Sequence, residues 1–373
     1  MKILYLANIR LPTEKAHGFQ IVRTCDALAR AGNEVTLVVS SCETSGESEI
    51  FAHYELQKTF NIKTVKGIQL HAWGTLGFFI AAVLFRINTR SYVSSGLFDV
   101  VYTRDEWQVR RGSIFEMHDV RKGIVQRKAL KIASGIVAIT QGLSDYCAKM
   151  GVGPDKVAIV PDAVDPAQFQ VNESKEACRA KLGLPLDKKM VLYTGHLYSW
   201  KGADTLAQAT AMLSVDTCVV FVGGTDSDLK SFKNKYESAP SSDSAGLLIL
   251  GRKPHVEIAY YFKAADVLIL PNSAKEDISR LYTSPIKLFE YMSSGTPIIA
   301  SDLPSIREVL NENNAYFFEA DNASSLAQAI KSTLDNSAEA TIIAARASAD
   351  VHGYTWEKRA AKILSFISRI QCR

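Results

Sequence analysis

The sequence predicts an α/β protein built from two doubly wound, Rossmann-like parallel-sheet domains that face each other across a cleft. Three observations carry this expectation. A chain of 373 residues is too long for one ordinary core and divides naturally into two domains of roughly 150–200 residues. Short, near-continuous apolar runs alternate with amphipathic segments, the pattern of parallel strands covered on both faces. The rhythm breaks once, at Pro161–Glu173, where two prolines and three acidic residues suit a linker. The predicted domains are therefore 1–165 and 166–355. A closing helix over 356–373 is expected to cross back to the first domain.

In the first half, Ile3–Asn8 reads as a buried strand and is followed by a loop through Gly18. A helix from about Phe19 to Ala31 places Ile21, Val22, Cys25, Leu28 and Ala29 on one face, and Gly32 ends it. Further strands are expected at Val35–Val39, Val100–Thr103, Ile114–Met117, Ile136–Thr140 and Val157–Val160. In the second half they fall at Val191–Thr194, Cys218–Gly223, Leu247–Leu250, Val267–Pro271, Ile298–Ser301 and Ala315–Phe318. Helical segments lie between most of them, and a last helix spans about Trp356–Ile370. In open sheets of this kind the ligand sits outside the carboxyl ends of the strands.

Composition removes several functions. Hydrophobic residues make up 47% and charged residues 22%, the profile of a globular protein rather than a disordered one. A net charge of +4, without a basic–aromatic tract or finger motif, gives no sign of nucleic-acid binding. The six cysteines are scattered and form no C-x-x-C pair, which favours a reducing compartment and no metal site. The apolar start, Met1–Leu6, meets polar residues by Asn8, so no secretory signal is read. Leu76–Leu84 is far too short to span a bilayer, and a cytoplasmic location is expected. Basic charge concentrates between Arg86 and Lys131, with ten Lys/Arg against five Asp/Glu. Apolar residues beside such a segment suggest peripheral contact with an anionic membrane through residues 76–131. A helix buried in the first domain, with a solvated basic face, is the plainer alternative.

The chemistry-bearing residues concentrate in the second half. Val191–Thr194 runs into Gly195-His196-Leu197, and Ser199-Trp200-Lys201-Gly202 opens the next helix. A glycine after a strand lets backbone approach a phosphate, and a lysine there adds a point charge. Further on, Val267–Pro271 leads through a polar loop to Thr283-Ser284-Pro285-Ile286-Lys287-Leu288-Phe289-Glu290. Ser284 is expected as the N-cap, with Pro285 in the first helical position and Gly295 just past the end. The free amides near Ile286 and Lys287 would then form an anion site. Glu290 lies one and a half turns in, where a carboxylate can accept two bonds from a vicinal diol. A surface helix carrying a Lys–Glu pair is the alternative.

The order of these motifs resembles the GT-B-fold, retaining family 4 glycosyltransferases (glycosyltransferase group 1). The resemblance rests on Gly195-His196-Leu197 with Lys201-Gly202, on Phe221-Val222-Gly223-Gly224, and on Ala265-Asp266-Val267. It continues through Ser284-Pro285-Ile286-Lys287-Leu288-Phe289-Glu290-Tyr291-Met292. In the first half it includes Gly18, Glu116-Met117-His118 and Val160–Asp165. It implies a glycosyltransferase that moves a sugar from a nucleoside-diphosphate sugar to an acceptor hydroxyl, in glycan, polysaccharide or glycolipid assembly. No metal or other cofactor is implied. Lys201 would bind the donor diphosphate and Glu290 the ribose hydroxyls. Gly18 would approach the phosphate or acceptor, and His118 would sit beside the transferred sugar. Gly195, His196, Gly223, Tyr282, Ser284, Pro285, Ile286 and Lys287 complete the expected donor site. Two positions depart from the pattern. Tyr282 stands where many members have a glutamate, and His196 where many have an arginine; Lys287 could supply the missing positive charge.

Two other readings share the fold: a nucleotide-sugar epimerase or hydrolase, and a nucleotide-binding protein with a degenerate site. A nicotinamide dehydrogenase is disfavoured, because no G-x-G-x-x-G follows the first strand.

Overall fold

The computed structural model describes residues 1–13, 15–41, 46–67, 74–236 and 245–372. The chain divides into two compact units: Met1–Asp162 with Trp356–Arg373, and Ala163–Thr355. Each contains one parallel sheet.

The first unit has strands β1 (Lys2–Ala7), β2 (Glu34–Ser41), β3 (Asn61–Lys66), β4 (Val100–Thr103), β5 (Ile114–Met117), β6 (Gly135–Ala138) and β7 (Val157–Ile159). They lie in the order β3-β2-β1-β4-β5-β6-β7. The strand order reverses direction between β1 and β4. Strand β3 was not expected from the sequence. Only Ile62 and Val65 are buried along it, three residues apart and so on opposite faces of the strand, which leaves no period-2 apolar signal to read. The first helix is Ala16–Arg30, so Gly18 lies in its opening turn and not in a loop.

The second unit has β8 (Lys189–Thr194), β9 (Thr217–Val222), β10 (Gly246–Gly251), β11 (Val267–Leu270), β12 (Ile298–Ser301) and β13 (Tyr316–Phe318). Their order is β10-β9-β8-β11-β12-β13, and the reversal falls between β8 and β11. The segment read as a linker is largely packed: Phe169 is buried and stacks on Phe262 at 5.6 Å between ring centroids. Val164 also bridges to Thr355, so the unit's two ends are pinned side by side.

The helix Trp356–Gln371 packs on Ala16–Arg30 and β6. It buries Trp356, Ala360, Ile363, Phe366 and Ile367, a period of three to four residues that gives one apolar stripe. Phe366 lies against Gly135 so closely that a Cβ there would be 2.8 Å from its ring.

The apolar helix Gly74–Asn88 does not match the buried alternative. Only Gly77, Ala82 and Phe85 are buried along it, while Leu76, Phe78, Phe79 and Ile87 are exposed. Part of the adjacent basic charge is used internally. Arg86 donates to the carbonyls of Trp107 and Val109 at 2.6 and 3.0 Å, and Arg110 to Arg86 O and Thr89 Oγ1 at 2.8 and 3.0 Å. Among the described residues no helix is long and apolar enough to cross a membrane.

Candidate functional site

In the second unit the expected residues gather at the switch point. Strands β8 and β11 are neighbours, so the segments leaving their carboxyl ends meet. Gly195 and Gly223 terminate β8 and β9 with φ of +126° and +120°. A Cβ on Gly223 would lie 2.3 Å from Gly195 O, so glycine is required where the two turns touch. The opening this leaves is occupied by Lys287, whose Nζ would be 3.5 Å from a Cβ on Gly195.

Lys287 Nζ donates to Thr194 O at 3.2 Å and sits 4.0 Å from the Tyr193 ring centroid. Lys201 Nζ lies 4.0 Å over the Trp200 ring. Among the described residues no carboxylate forms an ion pair with either lysine. Burial pushes Lys201 down to about 8. Burial, and then the charge of Lys201, drive Lys287 well below the ordinary lysine range, with Glu290 opposing them. His196 is lowered by burial and by Lys201, Lys287 and Arg252, against Asp228. Its ring stacks on Tyr198, with centroids 4.8 Å apart. The result is a cluster of under-neutralised cations. An anion carrying two or more charges relieves both the repulsion and the desolvation.

The helix carrying Lys287 spans Ile286–Ser293, and its N-cap is Pro285, with no side-chain cap hydrogen bond. This corrects the expected placement by one residue: Ser284 is not the cap, and Pro285 precedes the first turn. Pro285 is held at ψ 123°, an extended conformation that cannot continue a helix backwards. Pro285 itself has no side-chain acceptor to offer the first-turn amides, and a helix N-terminus of this kind favours an anion. Glu290 is mostly buried, and its Oε1 lies 3.4 Å from His255 Nε2. Tyr282 closes a π-helical turn, Ile278–Tyr282, a form frequent at functional sites. Tyr291 also contributes: its hydroxyl accepts from Thr194 N at 2.9 Å and ties the helix to the end of β8.

In the first unit, His118 follows β5 and its Nε2 lies 2.6 Å from Glu116 Oε1. The same oxygen accepts from Gln20 Nε2 at 2.5 Å and Arg359 NH2 at 2.8 Å. Tyr102 donates to Oε2. Arg359 reaches this point from the closing helix and also bonds Pro161 O and Thr24 Oγ1. Burial alone would raise Glu116. The charges of Arg359, His118 and Arg104, with the His118 hydrogen bond, outweigh it and hold the carboxyl far below its usual range. Sequence reasoning found the Glu-x-His pair but not Arg359, Gln20 or Tyr102.

A cavity of about 730 Å³ opens beside His118, bordered by Arg10, Lys15, His17, Arg104, Glu106 and Asp119 among others. It lies over the carboxyl ends of β1 and β4, the switch point of this sheet. Burial and the charges of Arg104, Lys15 and His118 lower His17 to about 4. Gly18 is not part of the cavity wall. A Cβ there would meet Thr13 Cγ2 at 2.3 Å and Tyr54 Oη at 2.8 Å, so its missing side chain makes room for the preceding loop.

Two doubly wound units, each with polar residues converging at its switch point, define a GT-B-type architecture. Residues 174–349, within the second unit, match the family model described as glycosyl transferases group 1. The chain is 26% identical over 244 residues to D-inositol 3-phosphate glycosyltransferase 1 of Catenulispora acidiphila, covering 62% of this chain and 56% of that one. It is 27% identical over 205 residues to TuaC of Bacillus subtilis, a glycosyltransferase assigned to teichuronic acid biosynthesis, covering 55% and 48%. The matched stretch thus spans about half the length of these relatives. Over the whole chain the fold is that of sucrose-phosphate synthase from Thermosynechococcus elongatus. The TM-score is 0.78 at 17% identity, with 100% and 99% of the two chains covered. Anabaena HepE, solved in complex with UDP, superposes with a TM-score of 0.73 at 16% identity, covering 99% and 100%.

Proposed function

We propose that this protein is a glycosyltransferase that moves a sugar from a nucleoside-diphosphate sugar to an acceptor hydroxyl, with retention and without a metal ion. The observation that carries the reading is the pair of half-buried lysines, Lys201 and Lys287, at the β8/β11 switch point with no carboxylate paired to them among the described residues. A site that serves only the fold would neutralise them. A departing diphosphate does so, and its developing charge is where such preorganised cations lower a barrier. Glu290, on the same helix as Lys287, is in place to accept hydrogen bonds from ribose hydroxyls. The UDP bound by HepE makes a uridine nucleotide sugar the first donor to test.

On the acceptor side, His118 borders the cavity of the first unit and faces the transferred sugar in this reading. Glu116, Gln20 and Arg359 orient it. The exposed Leu76, Phe78 and Phe79 lie on the helix that supplies Phe78 to the cavity wall. This favours an acceptor carried on a lipid and peripheral contact with an anionic membrane. A screen of nucleotide sugars by thermal stabilisation, followed by product analysis of the best donor, tests the reading. A cognate donor at one hundred times its Kd adds about 2.7 kcal/mol of stability; stabilisation by none of the donors rejects the proposal. Liposome co-sedimentation at low and high salt tests the membrane component.

A further inference from the structure

Glu106 is a carboxyl group in the wall of the first-unit cavity. It sits in the loop leaving β4, and that loop is fixed. Thr103 Oγ1 accepts from Asp105 N at 3.0 Å, Asp105 Oδ1 accepts from Trp107 N at 3.0 Å, and Arg86 holds Trp107 O. The Glu106 side chain is only 9% exposed and borders the cavity. Its Oε1 has a distant cation, Arg121 NH1 at 3.9 Å. Its Oε2 is buried and has no hydrogen-bond partner.

A buried carboxyl oxygen without a partner is costly, on the order of 1–3 kcal/mol or more, and such groups are few in native proteins. Burial pushes Glu106 up to about 7; Arg121 opposes the shift, while Asp119 and Asp105 add to it. The fold therefore holds a carboxyl group, against its own stability, in the wall of a cavity large enough for a sugar ring.

We propose that Glu106 Oε2 recognises a hydroxyl of a polyhydroxylated acceptor, a sugar or cyclitol, bound in this cavity. The proposal rests on the transferase reading and specifies its acceptor. A carboxyl near its midpoint at neutral pH suits this task, because a hydroxyl can donate to the carboxylate or accept from the neutral acid. A site built for a hydroxyl also rejects ligands that lack one, since the buried oxygen would be left unpaired. The cations Arg10, Lys15 and Arg104 border the same cavity, so an acceptor bearing an anionic substituent would find a complement there.

The test compares the full-length chain with its Glu106→Gln and Glu106→Ala variants. Myo-inositol, methyl α-D-glucopyranoside and D-inositol 3-phosphate serve as probes, with 1-hexanol as a lone-hydroxyl control. Ligand-observed NMR without nucleotide reads acceptor binding directly. Calorimetry with UDP reads the second unit separately. At least one polyol is expected to bind wild type, to weaken ten-fold or more in both variants, and to bind better than hexanol. UDP binding is expected to change by less than two-fold. Melting at pH 8 separates recognition from a structural role. Glu106→Gln removes a buried carboxylate above its titration point and should melt at or above wild type, whereas loss of a needed Arg121 partner would lower the melting temperature. Equal polyol binding in wild type and variants, hexanol bound as well as the polyols, or no polyol bound by wild type would each overturn the proposal. Failure of UDP and every other donor to bind, with polyol binding intact, would instead reject the transferase reading.

Discussion

The two switch points of this molecule handle charge in opposite ways. At Glu116 every charge is answered. One carboxylate oxygen meets Arg359, Gln20 and His118, the other meets Tyr102, and the group stays ionised although fully buried. At Lys201 and Lys287 burial lowers both, the charge of Lys201 lowers Lys287 further, and Glu290 opposes the shift only at Lys287. A balanced network holds a geometry, here the position of His118. An unbalanced one waits for a ligand. The contrast sorts buried charges into those that build a site and those that bind at it.

Breaking the balanced side should have the largest effect. Arg359→Met leaves Glu116 buried without its guanidinium partner and is expected to destabilise the first unit by about 3–5 kcal/mol. Adding Glu116→Gln should recover part of that loss. Denaturant melts of the single and double variants check the coupling; additive losses would mean the pair is not a unit. The sign with pH follows from the depressed carboxyl of Glu116. Its contribution is present above the unfolded value of about 4.3 and is lost as pH falls below it.

On the unbalanced side, Lys201→Ala and Glu290→Ala should cut kcat/KM by about 10²–10³-fold, the scale of losing one preorganised transition-state contact. Melting should be unchanged, or raised for Lys201→Ala because a costly buried cation is removed. Wild-type-like rates in both variants would dissolve the contrast. Lys287→Ala should be milder: about ten-fold weaker binding of a nucleoside diphosphate, on the scale of one charged hydrogen bond, with the free nucleoside little affected. Equal losses for the two ligands would take Lys287 out of the phosphate site.

The smallest effect sharpens the comparison most. Lys201 is lowered to about 8 by burial, while in the unfolded chain lysine titrates near 10.4. The folded state therefore binds fewer protons than the unfolded state between about pH 8 and 10.4, and stability should rise with pH across that window. A bound diphosphate restores the charge. Calorimetry at pH 8 in buffers of different ionisation enthalpy should show proton uptake, reduced in Lys201→Ala, where only Lys287 remains to be recharged.

The sequence by itself determined most strands, the twofold α/β architecture and the second-unit cluster. Apolar runs such as Val267–Leu270 and Ile298–Ser301 recur at intervals that admit little else, and residues just past parallel strands are brought together by the sheet. Local signals weakened where burial is sparse or the pattern diluted, as in the edge strand Asn61–Lys66 and the alanine-rich helix Ser337–Asp350. The helix start illustrates a finer limit, since the boundary falls one residue later than the Ser-Pro pattern suggests, with Pro285 in the N-cap position. Only the tertiary structure decided the rest. Arg359 stands 243 residues from Glu116, and nothing local marks it as a partner; a closing helix packed on β6 and Ala16–Arg30 brings it there. The exposure of Phe78 and the unanswered oxygen of Glu106 are of the same kind. Whether a side chain is buried, and whether it finds a partner, depends on segments far away in the chain, and neither can be read from its neighbours in sequence.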